Sequence, residues 1–92
     1  MKEIWKYKLD PRVSTIPMPE GAEILSVQVQ RETPCVWAEV DPTHPLYVRT
    51  FEIYGTGHPI NDMSGHERKF IGTFQLNQGD LVFHVFETIK SK

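Results

Sequence analysis

The 92-residue sequence predicts an all-β domain, built as a small antiparallel sandwich or partly open barrel of six to seven strands. Three observations carry this. Nearly every apolar run alternates with a period of two. β-branched and aromatic residues dominate those runs. Pro and Gly interrupt them at short intervals, and no convincing amphipathic helix pattern occurs.

The elements follow in order. In Ile4 to Leu9, Trp5, Tyr7 and Leu9 share one face and Lys6 and Lys8 the other, until Asp10-Pro11 ends the run. Val13 to Met18 is a weaker strand, expected to stop at Pro17 and Pro19. In Ile24 to Gln30, Leu25, Val27 and Val29 point one way and Ser26, Gln28 and Gln30 the other. Arg31-Glu32-Thr33-Pro34 reads as a turn, and the return strand Cys35 to Val40 puts Val36, Ala38 and Val40 on the core face. Asp41-Pro42-Thr43-His44-Pro45 is a rigid connection into Tyr47 to Tyr54, where Phe51 and Ile53 oppose Thr50 and Glu52. A long loop is expected from Gly55 to about Arg68, with a short helical turn near Met63 to Arg68. Lys69 to Leu76 is a strand with Phe70, Phe74 and Leu76 on one side. Asn77-Gln78-Gly79-Asp80 is a hairpin turn. Leu81 to Glu87 is apolar on both faces, which predicts a central strand covered on both sides, and Ile89 to Lys92 are expected to be loose.

Composition narrows the function classes. The length fits one domain, residues 1–92, with a modest core, so association into a homo-oligomer is an expected source of extra stability. The net charge of −2 offers no basic excess for duplex nucleic acid, although a short anion can still be held locally. The single cysteine, Cys35, excludes an intramolecular disulfide. No signal-peptide core and no membrane-spanning window are present, so the expectation is a soluble, intracellular protein.

The segment Tyr54-Gly55-Thr56-Gly57-His58-Pro59-Ile60 ends an apolar strand and opens the longest connection, where small proteins commonly carry function. Its glycines allow close backbone approach. No helix pattern follows, Pro59 lacks a donor, and no P-loop lysine is present, so Rossmann and P-loop readings fail. The candidate ligand-binding residues are Tyr54, Gly55, Thr56, Gly57 and His58, with Arg49 as the forked cation for a phosphate or carboxylate. Arg31 is the other cation suited to an anion, and an intramolecular carboxylate is the commoner partner for Arg49.

Four histidines, His44, His58, His66 and His84, raise a metal reading in which His58, Asp62 and His66 would be ligands, but no defined spacing supports it and no metal or cofactor is expected. His84 alternates with Val82 and Phe86, which suits a core histidine; as a titratable group near His58 it would allow acid–base chemistry. No serine elbow or activated Cys35 is evident, so no catalytic residue is assigned. Trp37 lies opposite Val36, Ala38 and Val40, with Glu39 on its face and Gln28 supplied by the hairpin neighbour; an aromatic with a polar rim is interface-like.

The chain also resembles a family of short, β-rich, uncharacterised proteins encoded by phages and prophages. The resemblance runs through Ile4-Trp5-Lys6, Ile24-Leu25-Ser26-Val27-Gln28, Pro34-Cys35-Val36-Trp37-Ala38, Tyr54-Gly55-Thr56-Gly57-His58-Pro59-Ile60, Ile71-Gly72-Thr73-Phe74-Gln75 and Phe83-His84-Val85-Phe86-Glu87. It implies an accessory protein of the host cytoplasm and carries no catalytic residue across. In that setting three functions are expected, in this order: a binding protein that sequesters a nucleotide-like small molecule of bacterial defence, an inhibitor that docks on a host defence protein, and a small hydrolase or phosphodiesterase using His58 and His84.

Overall fold

A computed structural model describes residues 1–60 and 66–90, with the side chains of residues 66 and 90 left out of the description. Among the described residues seven strands run β1 (Glu3–Lys8), β2 (Val13–Pro19), β3 (Glu23–Gln30), β4 (Thr33–Val40), β5 (Leu46–Gly55), β6 (His66–Leu76) and β7 (Leu81–Lys90), with one 3₁₀ turn over Asn77–Gly79. They form two antiparallel sheets, β1-β4-β3 and β2-β5-β7-β6, which are not closed into a barrel. This is the sandwich expected from the alternation.

The core lies between the inner faces. Val36, Ala38 and Val40 of β4 are fully buried, as are Met18, Phe51 and Val85 of the facing sheet. β3 and β6 pass close to each other where the sheets meet, and Gly72 makes this possible. A Cβ built there would lie 2.5 Å from Cγ1 of Val27.

Several expectations need correction. Two β-bulges reset the alternation. The β3–β4 register skips from Ile24 to Ser26, so Leu25 is the extra residue and lies exposed rather than in line with Val27 and Val29. The β6–β7 register skips from Phe70 to Gly72, so Phe70 shares the outer face with Phe86 while Phe74 and Leu76 point inward. β2 continues through Pro17 to Pro19 instead of stopping, because it is an edge strand whose second side needs no N–H donors. The β3–β4 turn is only Arg31-Glu32, with Thr33 and Pro34 already in β4.

β6 starts at His66, so residues 66–68 are extended rather than helical; Met63 to Gly65 of the expected helical turn lie outside the described residues. Ile89 is not loose, because β7 runs to Lys90. β7 is central, as expected, but only its inner face is covered by the other sheet. Its outer residues Val82, His84, Phe86 and Thr88 are half-buried by neighbours within their own sheet. Among the described residues no helix is long and apolar enough to cross a membrane.

Candidate functional site

The Gly55–Ile60 segment leaves the end of β5, an interior strand of the four-stranded sheet, beside β7. Thr56 N–H donates to the Val82 carbonyl (3.1 Å) and His58 N–H to the Gly55 carbonyl (3.0 Å). Two of the backbone donors a phosphate cradle would need are therefore spent, one on β7 and one within the turn. Gly57 takes a φ of 86°, the left-handed conformation that glycine adopts without penalty.

His58 and Thr56 serve opposite faces. A Cβ on Gly55 would meet Nδ1 of His58 at 2.6 Å and Cε1 at 2.8 Å, so the imidazole occupies the space a side chain at 55 would fill. Gly55 is the cross-strand partner of Phe83, which places that space on the inner side. On the outer side, Thr56 Oγ1 is 2.7 Å from Nε2 of His84, and Nδ1 of His84 is 3.0 Å from Thr73 Oγ1. The imidazole is thus held between two hydroxyls and ties the loop to β6 and β7. His84 is neither a core histidine nor a neighbour of His58, since Tyr54 is its cross-strand partner and shares its outer face.

Near Phe83, the ladder partner of Gly55, the inner faces of both sheets end in an apolar mouth of about 230 Å³. Leu9, Pro34, Ile53, Phe74, Leu76 and Phe83 wall it, and Glu32 supplies the acidic group of its lining. Phe74 and Phe83 stack with ring centroids 5.4 Å apart. These walls come from the ends of β1, β4, β5, β6 and β7. Their juxtaposition was invisible in the sequence, although each ends a run of core-type alternation.

None of the expected ligand residues Tyr54, Gly55, Thr56, Gly57, His58 and Arg49 stands in the wall of this mouth; the loop approaches it only through Gly55, the ladder partner of Phe83. Tyr54 points outward, edge-on to Phe86 (6.1 Å), and the Arg68 guanidinium lies 5.9 Å from its ring. Arg68 also donates to Glu52 (2.8 Å), a pair that pushes the Arg68 pKa up and accounts for a carboxylate buried on an outward face. Arg49 sits six residues from Gly55, about 20 Å along the strand. Its Nε and Nη2 donate to Glu87 at 2.7 and 2.8 Å and its Nη1 to the Ala22 carbonyl. The Glu87 hydrogen bonds push its pKa up against the opposing effect of burial. Arg49 is a structural cation with its intramolecular carboxylate, not a ligand-binding group of the Gly55 loop.

Trp37, Glu39 and Gln28 do share one surface, the outer face of the three-stranded sheet. Trp37 lies half-buried between Lys6 and Ser26, Gln28 faces Cys35 across the ladder, and Glu39 meets Lys2 at 3.8 Å. Of the possible metal ligands, Asp62 and the His66 side chain lie outside the described residues. His44 is engaged elsewhere, 2.8 Å from the Glu20 carbonyl and 3.4 Å from Asp41.

Fold and site together define a two-sheet β-sandwich with an apolar mouth at one end and a glycine-bordered loop that leaves β5 opposite Phe83 of its wall. The chain belongs to the family of the domain of unknown function DUF7352, whose model spans residues 1–92. No curated protein and no solved structure matches it.

Proposed function

We propose that this protein is a non-catalytic binding module that takes the flat ring of a nucleotide-like small molecule into the apolar mouth, with the Thr56–His58 loop as its polar rim. The observation that carries the reading is the mouth itself. Stacked aromatics and aliphatic strand ends form a concave apolar surface of the kind small-ring sites use, and the His58 imidazole packs over Gly55, the ladder partner of Phe83 in its wall. Its small volume suits a nucleobase rather than a whole dinucleotide, so the remainder of the ligand extends over the loop or against a second subunit of a homo-oligomer. The resemblance to phage-encoded proteins gives the module a setting: an accessory protein of the host cytoplasm that counters defence by sequestering a signal molecule.

The test is thermal melting against cyclic and linear nucleotides, with molecular size measured in parallel. At a hundredfold excess over Kd, binding stabilises by about 3 kcal/mol, a rise of roughly 10 °C or more for a chain of this length. The shift should be lost in Phe83→Ala and His58→Ala, and the nucleotide should be recovered intact. A cleaved product would replace sequestration with turnover, a reading that His58 and His84, on opposite faces, support less well.

A second reading, inhibition of a host protein through Trp37, Gln28 and Glu39, is favoured by their convergence on one outward face. Its mark would be a nucleotide-insensitive protein that loses partner binding in Trp37→Ala.

A further inference from the structure

We infer that the outer face of the three-stranded sheet carries a separate site for a phosphoryl group of charge −2 or more, built from Lys6, Lys8 and Arg31. These three cations line one open depression of about 350 Å³, together with Gln30, Thr33 and Cys35. Among the described residues no carboxylate is in its lining. Three other cations have carboxylate partners: Arg49 with Glu87, Arg68 with Glu52 and Lys2 with Glu39. Among the described residues Lys6, Lys8 and Arg31 have no such carboxylate; Lys6 Nζ instead donates to Gln30 Oε1, which fixes it at the rim. Three like charges in one depression repel one another, and a multiply charged oxyanion relieves that repulsion better than a carboxylate carrying one charge. The Thr33 hydroxyl and the Gln30 amide add neutral donors. The site is independent of the apolar mouth, because residues alternate through the β3–β4 turn into β4: Glu32 and Pro34 line the mouth, whereas Arg31, Thr33 and Cys35 line the depression.

The turn that holds Arg31 supports the same inference. Arg31 and Glu32 form a two-residue hairpin loop with φ of 51° and 66°. Both positions favour Asn-Gly, and neither Arg nor Glu adopts this conformation readily. The chain thus places a forked cation where a more stable turn would have none, a departure expected where a residue is retained for binding.

The test uses inorganic tripolyphosphate as probe in isothermal titration at low ionic strength. Binding is expected, weakening steeply as salt is added. Lys8→Gln and the turn replacement Arg31→Asn with Glu32→Gly should each lower the affinity about five- to tenfold. The turn replacement should at the same time raise Tm, so loss of binding cannot be assigned to unfolding. Lys69→Gln, on the other sheet, should bind as the parent does. A nucleoside triphosphate binding no tighter than tripolyphosphate identifies the phosphate chain as the recognised group; tighter binding identifies a phosphorylated small molecule, and either satisfies the inference. No binding at millimolar tripolyphosphate, or affinity in both variants unchanged from the parent, overturns it.

Discussion

A single methyl group added at Gly72 should push the two sheets apart where β3 meets β6. The new Cβ would lie 2.5 Å from Cγ1 of Val27, against about 3.5–4.0 Å for an ordinary carbon contact. More than 1 Å must therefore be recovered. Val27 is buried and β-branched, so rotating it away is costly. Gly72 does not adopt a positive φ, so alanine has no backbone penalty. Without the clash it would stabilise by about 0.4–1 kcal/mol through the unfolded chain. The overpacking instead predicts a loss of about 1–3 kcal/mol, or roughly 5–20 °C in Tm. Urea denaturation of Gly72→Ala, Val27→Ala and the double variant isolates the contact. The double variant should be less destabilised than the sum of the singles by about 1 kcal/mol or more, because truncating Val27 makes room for the methyl. A stabilised Gly72→Ala, or simple additivity, would refute the close approach of β3 and β6.

Four further outcomes follow. Tyr7→Phe should be neutral or slightly stabilising, since the hydroxyl is buried without a hydrogen-bond partner among the described residues. Burial also raises the Tyr7 pKa, against the lowering effect of Arg49, so the unfolded state loses its proton first; the tyrosine's contribution is complete below the ordinary value of 10.0 and is lost as pH rises through the raised value. The alkaline limb of a Tm–pH profile should therefore flatten in Tyr7→Phe. Arg49→Met should destabilise by roughly 2–4 kcal/mol by leaving Glu87 unpaired, and Glu87→Gln in the same chain should restore part of the loss, read by chemical denaturation. Asp41 accepts from the Thr43 hydroxyl (2.6 Å) and N–H (3.0 Å), which lowers its pKa; its contribution is present above the ordinary value of 3.8 and is lost as pH falls through the lowered value, so Asp41→Asn should flatten the acid limb of the profile. Gly55→Ala should displace the exposed His58 ring with little loss of stability, and so weaken nucleotide binding without a matching fall in Tm in the absence of ligand.

Strand order along the chain was legible because most strands bury a single face, and alternation reports that directly. Val36, Ala38 and Val40, and Phe51 with Ile53, fall where the pattern puts them. The errors concentrate at Leu25 and Ile71, where one inserted residue flips everything on one side of it while leaving the composition of the run unchanged. Alternation has no term for a bulge. At the candidate site, the turn formed by Gly55, Thr56 and Gly57 was legible from local turn chemistry. The apolar mouth was not, because its walls come from five strand ends that meet only through sheet pairing. Arg49 was a suitable anion ligand by residue type, but its carboxylate, Glu87, lies 38 residues away and becomes a partner only through the β5–β7 ladder.

The most direct test is a methyl and aromatic NMR titration with the nucleotide that raises Tm most. Shifts confined to Ile53, Leu76, Phe74, Phe83 and the His58 ring would agree with a ring seated in the mouth. An unperturbed mouth, with the changes falling on the Trp37 indole or nowhere, would contradict it.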